Sequence, residues 1–263
     1  GADGALAIED RDLLALAELH VRTVEGGPFP SGEQAPRFRL FRSAAGTIWR
    51  FRPDLTAALR QQLEELAAAE PTVDDLEAHP PDLDAYRATL KRSDGVICFY
   101  GGPAFLFPEE LPAAPRAAVV TEENRSTCAT QHQWGLDECD DPIHPVDIAL
   151  EGDIAISVCH AARTSEAASE AGAGTIEAAR GRGYASEVVA EWARCVCAAN
   201  RLPMYSTKWS NAASRRVATR LKLELYGEDT SFNWLVSWSV RPSVPARPAR
   251  RTAAARRQPP SDG

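Results

Sequence analysis

Arg180-Gly181-Arg182-Gly183-Tyr184-Ala185 lies between a small apolar run, EAGAGTI, and a stretch of helical periodicity. Glycine permits backbone angles that other residues resist and leaves no Cβ between the main chain and a ligand. The first turn of a helix offers unpaired N–H groups and the positive end of its dipole. Two glycines at such a start make an anion site, and a diphosphate suits it. Arg180 and Arg182 add positive charge where the helix is already positive, which an anion would offset. The bland reading of the same residues is a basic surface turn. The stretch is not the GxxxxGK[ST] of a P-loop. Nor is it a GxGxxG in a parallel strand–helix–strand unit with an acidic residue ending the next strand, as a dinucleotide fold requires.

The elements that must position this loop follow from periodicity. VDIALEGDIAISVCHAAR reads as two strands around Glu151-Gly152-Asp153, a hairpin, and EAGAGTI as a third strand whose glycines weaken it or mark a bulge. After the loop, Ala185, Val188, Val189, Trp192 and Val196 form the apolar stripe of a helix reaching about Asn200. PMYSTKW is a strand, NAASRRVATRLKL a helix with Ala213, Val217 and Leu221 inward, and SFNWLVSWSV a last strand. Upstream, RAAVVTE is a strand and STCATQHQWGLDEC a short helix. The first third is mixed: LLALAELHVR is a helix or buried strand, RFRLFRSAAGTIWRF a hairpin, and PDLTAALRQQLEELAAAE a helix with Leu55, Leu59, Leu63 and Leu66 at helical spacing. DGVICFYG is a strand and GPAFLFPEELPAAP a loop. The expected division is residues 1–115 as an N-terminal α/β region, 116–240 as the domain carrying the loop, and 241–263 as a disordered tail.

Bulk properties exclude several classes. A mean hydropathy of −0.30 and 25% charged residues describe an ordinary soluble composition, without the run of about 20 apolar residues a membrane span needs. The acidic beginning, GADGALAIEDRD, lacks the basic start and apolar core of a secretory signal, and the expected location is cytoplasmic. Cysteines at 98, 128, 139, 159, 195 and 197 make no CxxC pair, and the five histidines show no ligand spacing, so reduced thiols and no metal are expected. The net charge of −8 hides an asymmetry. From Arg241 the tail holds six Arg and one Asp, leaving −13 on the first 240 residues (−8 less the tail's +5). Its Pro, Ala and Arg cannot bury a core, and its charge could touch nucleic acid only weakly and without specificity. The acidic body argues against a nucleic-acid face elsewhere.

Arg180-x-x-Gly183-x-Ala185 matches the [QR]-x-x-G-x-[GA] signature of the GNAT superfamily of N-acetyltransferases, and it lies between a strand and a long helix, as it does in that family. The chain resembles a bacterial branch with an extra N-terminal region, most closely over residues 145–230. The resemblance implies an α/β (α+β) fold. Its core would be a mixed, mostly antiparallel seven-strand sheet, splayed at its centre and flanked by helices. It also implies acetyl-CoA or another acyl-CoA as co-substrate and acyl transfer to an amine. By position, the amides of Arg182, Gly183, Tyr184 and Ala185, with Arg180 and Gly181 nearby, would hold the pyrophosphate. Backbone groups of Gly174, Thr175 and Ile176 would meet the pantetheine arm. Asn211 matches the family's cofactor-contacting Asn, and as a residue type it is also a preferred helix N-cap.

Acyl transfer from a thioester needs the amine deprotonated, the oxyanion stabilised and the thiolate protonated. Backbone N–H groups at a bulge in the third strand would serve the oxyanion. Glu170 stands near the position of the base in the histone-modifying branch, with a solvent-facing strand residue as the equal alternative; Glu177 is a weaker candidate. The family's thiolate acid is a Tyr seven residues after the Asn, and here that position is Ala218. Tyr205 and Tyr226 are the substitutes on offer, and Ser206 and Thr207 could line the splay. Arg215, Arg216 and Arg220 form a cationic side of the later helix. The expected function is an N-acyltransferase acting on a primary amine of a small molecule or protein. The missing tyrosine keeps a noncatalytic acyl-CoA-binding module open. The N-terminal region would cover the acceptor side of the sheet or help form a homodimer.

Overall fold

Leucines and alanines at helical spacing fold Leu13–Gly26 into α1, which settles the helix-or-strand ambiguity of that segment. The alternating residues after it make the expected hairpin, β1 (Phe38–Ser43) and β2 (Gly46–Phe51). Thr56 caps α2 (Ala57–Ala68), its side chain accepting from Leu59 N–H, and Leu59, Leu63 and Ala67 are buried. α3 (Leu83–Asp94) and β3 (Ile97–Leu106) follow. Then come β4 (Ala117–Val119), β5 (Val146–Glu151), β6 (Ile154–Thr164) and β7 (Ala168–Thr175). α4 (Tyr184–Ala198), β8 (Leu202–Ser206), α5 (Ala212–Arg220) and β9 (Glu224–Trp234) complete the order. This computed structural model describes residues 13–26, 36–71, 80, 82–94, 97–121, 145–152 and 154–234. The helix expected at STCATQHQWGLDEC and the Arg-rich tail lie outside the described residues.

All nine strands join one sheet in the order β2-β1-β9-β3-β8-β7-β6-β5-β4. Among the described residues, only β7 and β8 run parallel and the other pairs are antiparallel. Among the described residues the sheet thus has nine strands, not the expected seven, because strands from both sides of residue 115 enter it. β9 is eleven residues long and pairs with β1 along one edge and β3 along the other. β1 is buried along its whole length, so it needs partners on both sides, and β2 and β9 supply them. β3 lies between β8 and β9. It also runs farther than its sequence implies, since Gly102 to Leu106 continue the strand where a loop was expected.

Consecutive strand residues face opposite sides, and the two faces differ. α4 and α5 cover one face through Val188, Val189, Trp192, Val196, Ala218 and Leu221, packed on Cys159, Ala171 and Tyr205. On the same face, α2 and α3 cover Phe38, Leu40 and Phe232. Of α5, it is Ala218 and not Ala213 that is buried; Ala213 is exposed. α1 lies on the other face, with Ala17 and Val21 against Phe41, Ala104, Ala168 and Met204.

Beneath α4, Asp147 of β5 is fully buried, and among the described residues neither carboxylate oxygen has a hydrogen-bond partner. Burial, reinforced by the charge of Glu191, pushes its carboxyl up to about 7.

Candidate functional site

β7 and β8 pair only at Ala168↔Leu202, Ser169↔Pro203 and Glu170↔Met204. Beyond Glu170 the two strands part. β7 continues to Thr175 on β6, while the end of β8 stays with β3, through Tyr205↔Phe105 and Ser206↔Ala104. Two features sit at this fork. Pro203 has no N–H to donate. One strand over, Ala161 and Arg163 of β6 face Ala171 and Glu170, so Ala162 is an extra residue. A bulge of this kind adds local twist. The irregularity therefore belongs to β6, opposite the strand where its glycines placed it in the sequence. Ala173, in an interior strand, is exposed, which marks the open space beside β7.

At the end of β7, a single 3-10 turn, Glu177–Ala179, leads into the glycine loop. Gly181 has φ +78° and Gly183 φ +89°, left-handed values that L residues rarely adopt. Gly183 is the N-cap of α4, with no side chain to cap it. No acceptor is found among the described residues for the N–H groups of Arg182, Gly183, Tyr184 and Ala185. A Cβ on Gly183 would lie 2.8 Å from Nη1 of Arg220, so α5 brings a guanidinium to the cradle. Free amides, a helix N-terminus and that guanidinium fit a diphosphate.

The other cations near the loop are partly satisfied within the chain, so Arg182, expected to be offset by an anion, already has a carboxylate partner. Arg182 pairs with Glu151 at 2.8 Å, and Arg116 with Glu187 in the first turn of α4. Both guanidiniums also flank the Tyr184 ring, at 4.1 Å for Arg116 and 5.1 Å for Arg182. Hydrogen bonding from Arg116 holds the Glu187 carboxyl below its usual range. Arg180 is exposed, and its Nε donates to the Thr175 carbonyl at 3.3 Å.

Gly174 and Thr175 close β7 against β6: Ser157 Oγ donates to the Gly174 carbonyl at 3.1 Å and lies 2.8 Å from Thr175 Oγ1. Ile176 N–H donates to the Ile156 carbonyl at 3.0 Å. Asn211 caps α5, its Oδ1 accepting from Ser214 N–H at 3.1 Å. Glu177 is exposed in the 3-10 turn.

Glu170 and Tyr205 lie on opposite faces of the sheet. Glu170 stands at the fork, buried on the α1 face, paired with Arg163 at 2.7 Å and accepting from Ser206 Oγ. Burial alone would raise its carboxyl; the charges of Arg163 and His20 and the hydrogen bonds from Ser206 and Arg163 outweigh it and hold the group below its usual range. A carboxylate so stabilised is a weak proton acceptor. Tyr205 packs with the α4 and α5 core, and its hydroxyl donates to the Ser214 carbonyl at 3.5 Å. Burial pushes that phenol up to about 12. Tyr226 is also buried; its hydroxyl is 2.8 Å from Nδ1 of His20 in α1. Ala218, at the position of the family's tyrosine, is buried against α4.

The sequence did not connect His20, Arg39, Arg163 and Asp229 with the site. They lie on Glu170's face, with Asp229 reached by Arg39 at 3.4 Å and His20 at 3.6 Å. Only the long-range pairing of β1, β9 and α1 assembles them. Glu170→Gln should destabilise the protein by roughly 2 kcal/mol at pH 7, less than for a fully buried pair because Arg163 is 28% exposed. Because Glu170's carboxyl is depressed, its contribution is present above the ordinary carboxylate range and is lost as pH falls through the lowered value. Denaturant unfolding at pH 7 and pH 3 checks this, and a gap that does not narrow in acid rules the ion pair out as its source.

Among the described residues, no group of His, Cys, Asp or Glu could hold a metal, and no helix is long and apolar enough to cross a membrane. No family model matches the sequence, and no curated protein matches it. Several solved structures are similar in fold. A GCN5-related N-acetyltransferase-like protein from Streptococcus suis 89/1591 is 15% identical over 82% of this chain and 92% of its own, with a TM-score of 0.47. A GCN5-related N-acetyltransferase from Kribbella flavida is 15% identical over 87% of this chain and 96% of its own, with a TM-score of 0.45. A tandem GNAT protein from the clavulanic acid biosynthesis pathway is 14% identical over 87% of this chain and 97% of its own, with a TM-score of 0.40.

Proposed function

We propose that the protein is a GNAT-type N-acyltransferase that moves an acetyl or other acyl group from acyl-CoA to a primary amine of a small molecule or protein. One arrangement carries this reading: β7 has an edge left open where β8 departs, and a short turn joins it to two left-handed glycines, the second of which starts α4. An open strand edge can hydrogen-bond an extended amide-bearing arm as another strand would, and the glycine cradle suits the diphosphate at the end of that arm. Acyl-CoA joins those two groups in one molecule and supplies the thioester. The amides of Arg182, Gly183, Tyr184 and Ala185 would hold its diphosphate, with Arg180, Gly181 and Arg220 beside them. Gly174, Thr175 and Ile176 would lie along its arm. Asn211, already an N-cap, would contribute by fixing the start of α5. Glu170 would order the fork through Arg163 and Ser206, and Tyr205 would anchor β8 to α5 through Ser214.

A thioester is already activated, so holding it against an amine supplies a large part of the rate. Binding shows first as stabilisation: acetyl-CoA at 100 times its Kd should add about 2.7 kcal/mol, read as a rise in Tm. Turnover is read as thiol release with a panel of primary amines. An unmoved Tm in millimolar acetyl-CoA defeats the proposal. Stabilisation without thiol release across the panel supports instead a noncatalytic acyl-CoA module, a second reading that the buried Ala218 favours.

A further inference from the structure

We infer that His160 of β6 is the proton acceptor for the attacking amine, in place of Glu170. The inference rests on the acyltransferase reading of the site. His160 pairs with Gly172 across β6 and β7. A Cβ on Gly172 would come within 2.8 Å of His160 Cε1 and 2.9 Å of Nε2. The imidazole therefore lies across the backbone of β7, two residues past Glu170, beside the part of the strand that β8 has left open. Any larger residue at 172 would occupy the space the ring uses. Gly172 thus has a role apart from the cradle glycines: it lets a side chain from the neighbouring strand reach over β7.

His160 also has suitable basicity. Burial holds its imidazole below the usual histidine value, which favours the neutral form that can take up a proton. Charged groups on its face pair with one another. On the same face, Glu170 and Arg163 are paired with each other. From α1, His20 meets Tyr226 and Asp229, and Glu18 meets Arg50. Its partner on β5 is the apolar Val146.

In the step, the lone pair of a neutral amine forms the N–C bond, and the carbonyl π electrons move to oxygen. The proton on the now cationic nitrogen passes to Nε2 of His160. The carbonyl re-forms as the C–S bond breaks, with its electron pair leaving on sulfur. The imidazolium then returns its proton, through solvent, to the thiolate. Amine and thioester become amide and thiol, and His160 ends neutral.

The test has two parts. In the first, the imidazole signals of 15N-labelled protein are followed without and with acetyl-CoA, His160 being identified by its loss in His160→Gln. His160 should titrate below the ordinary histidine range and shift when acetyl-CoA binds. Binding that leaves its signal unmoved overturns this inference alone; failure of acetyl-CoA to bind overturns the acyltransferase reading and this inference with it. In the second, with an amine that turns over, His160→Gln should lower kcat about 100-fold or more at little change in acetyl-CoA affinity. The acid limb of the kcat/KM profile should vanish, and added imidazole should partly restore His160→Gly. Gly172→Ala, which crowds the ring and leaves its chemistry intact, should give an intermediate loss. A His160→Gln enzyme within threefold of the parent kcat, with its acid limb intact, overturns the inference.

Discussion

Gly183→Val should weaken acetyl-CoA binding by at least about 100-fold, whereas Gly181→Ala should keep it within about tenfold. Both glycines have positive φ, so each substitution costs roughly 1–2 kcal/mol of folding free energy in backbone strain. Their surroundings separate them. A Cβ on Gly181 meets nothing within 4 Å, while one on Gly183 lies 2.8 Å from the Arg220 guanidinium. That guanidinium is the far end of a flexible side chain and can move aside, so the valine variant folds. Its branched side chain then stands in front of the amides that begin α4 and displaces the cation aimed at them. A 100-fold loss corresponds to about 2.7 kcal/mol, the scale of one or two charge-assisted hydrogen bonds. Calorimetric titration of both variants decides it: a valine variant that binds within threefold of the parent means the diphosphate lies elsewhere.

Asp147→Asn should make the protein more stable at pH 8 by up to roughly 4 kcal/mol, and by little at pH 4. In the folded chain burial raises this carboxyl from 3.8 to about 7. A gap of about 3 units is worth roughly 4 kcal/mol at 1.36 kcal/mol per unit. Because the folded value is the higher one, the contribution is fully present below pH 3.8. It declines as the unfolded chain ionises and is lost once pH passes about 7. Asparagine keeps the shape and cannot ionise, so the two unfolding curves should separate between these limits and then run parallel. Curves that stay parallel from pH 4 to pH 8 would mean that Asp147 finds a partner or water when charged.

The cradle could be read from the chain because its requirements are local. Gly181 and Gly183 are next-but-one neighbours, and the apolar stripe from Val188 to Val196 announces the helix they begin. The far half of β3 could not be read in this way. Gly101, Gly102 and Pro103 have the composition of a loop, yet each glycine answers a close contact, Gly101 with a ring two residues back on its own strand and Gly102 with a backbone more than a hundred residues away. The Phe99 ring lies 2.5 Å from where a Gly101 Cβ would be, and the Thr207 carbonyl 1.7 Å from that of Gly102. α3 was obscured by the prolines and acidic residues around it. Glu170 was picked out by position, but its ion pair depends on a bulge in β6, and the polar groups on its face come from α1, β1 and β9. Gly172 looked like a weakness in a strand; its purpose appears only when His160 lies over it.

The place of β3 in the sheet also sets a schedule for synthesis. Its ten residues leave the ribosome more than a hundred residues before β9, their longest partner. Until then the β9 margin of β3 is bare peptide, and until β8 is made the other margin is too, the state in which chains join the wrong neighbour. The hairpin of β1 and β2 waits for the same strand, because β9 links it to the rest. Nascent chains stalled between Leu106 and Glu224 should therefore occupy chaperones and be open to proteases over β1 to β3. Protection should arrive in one step, when Trp234 clears the exit tunnel.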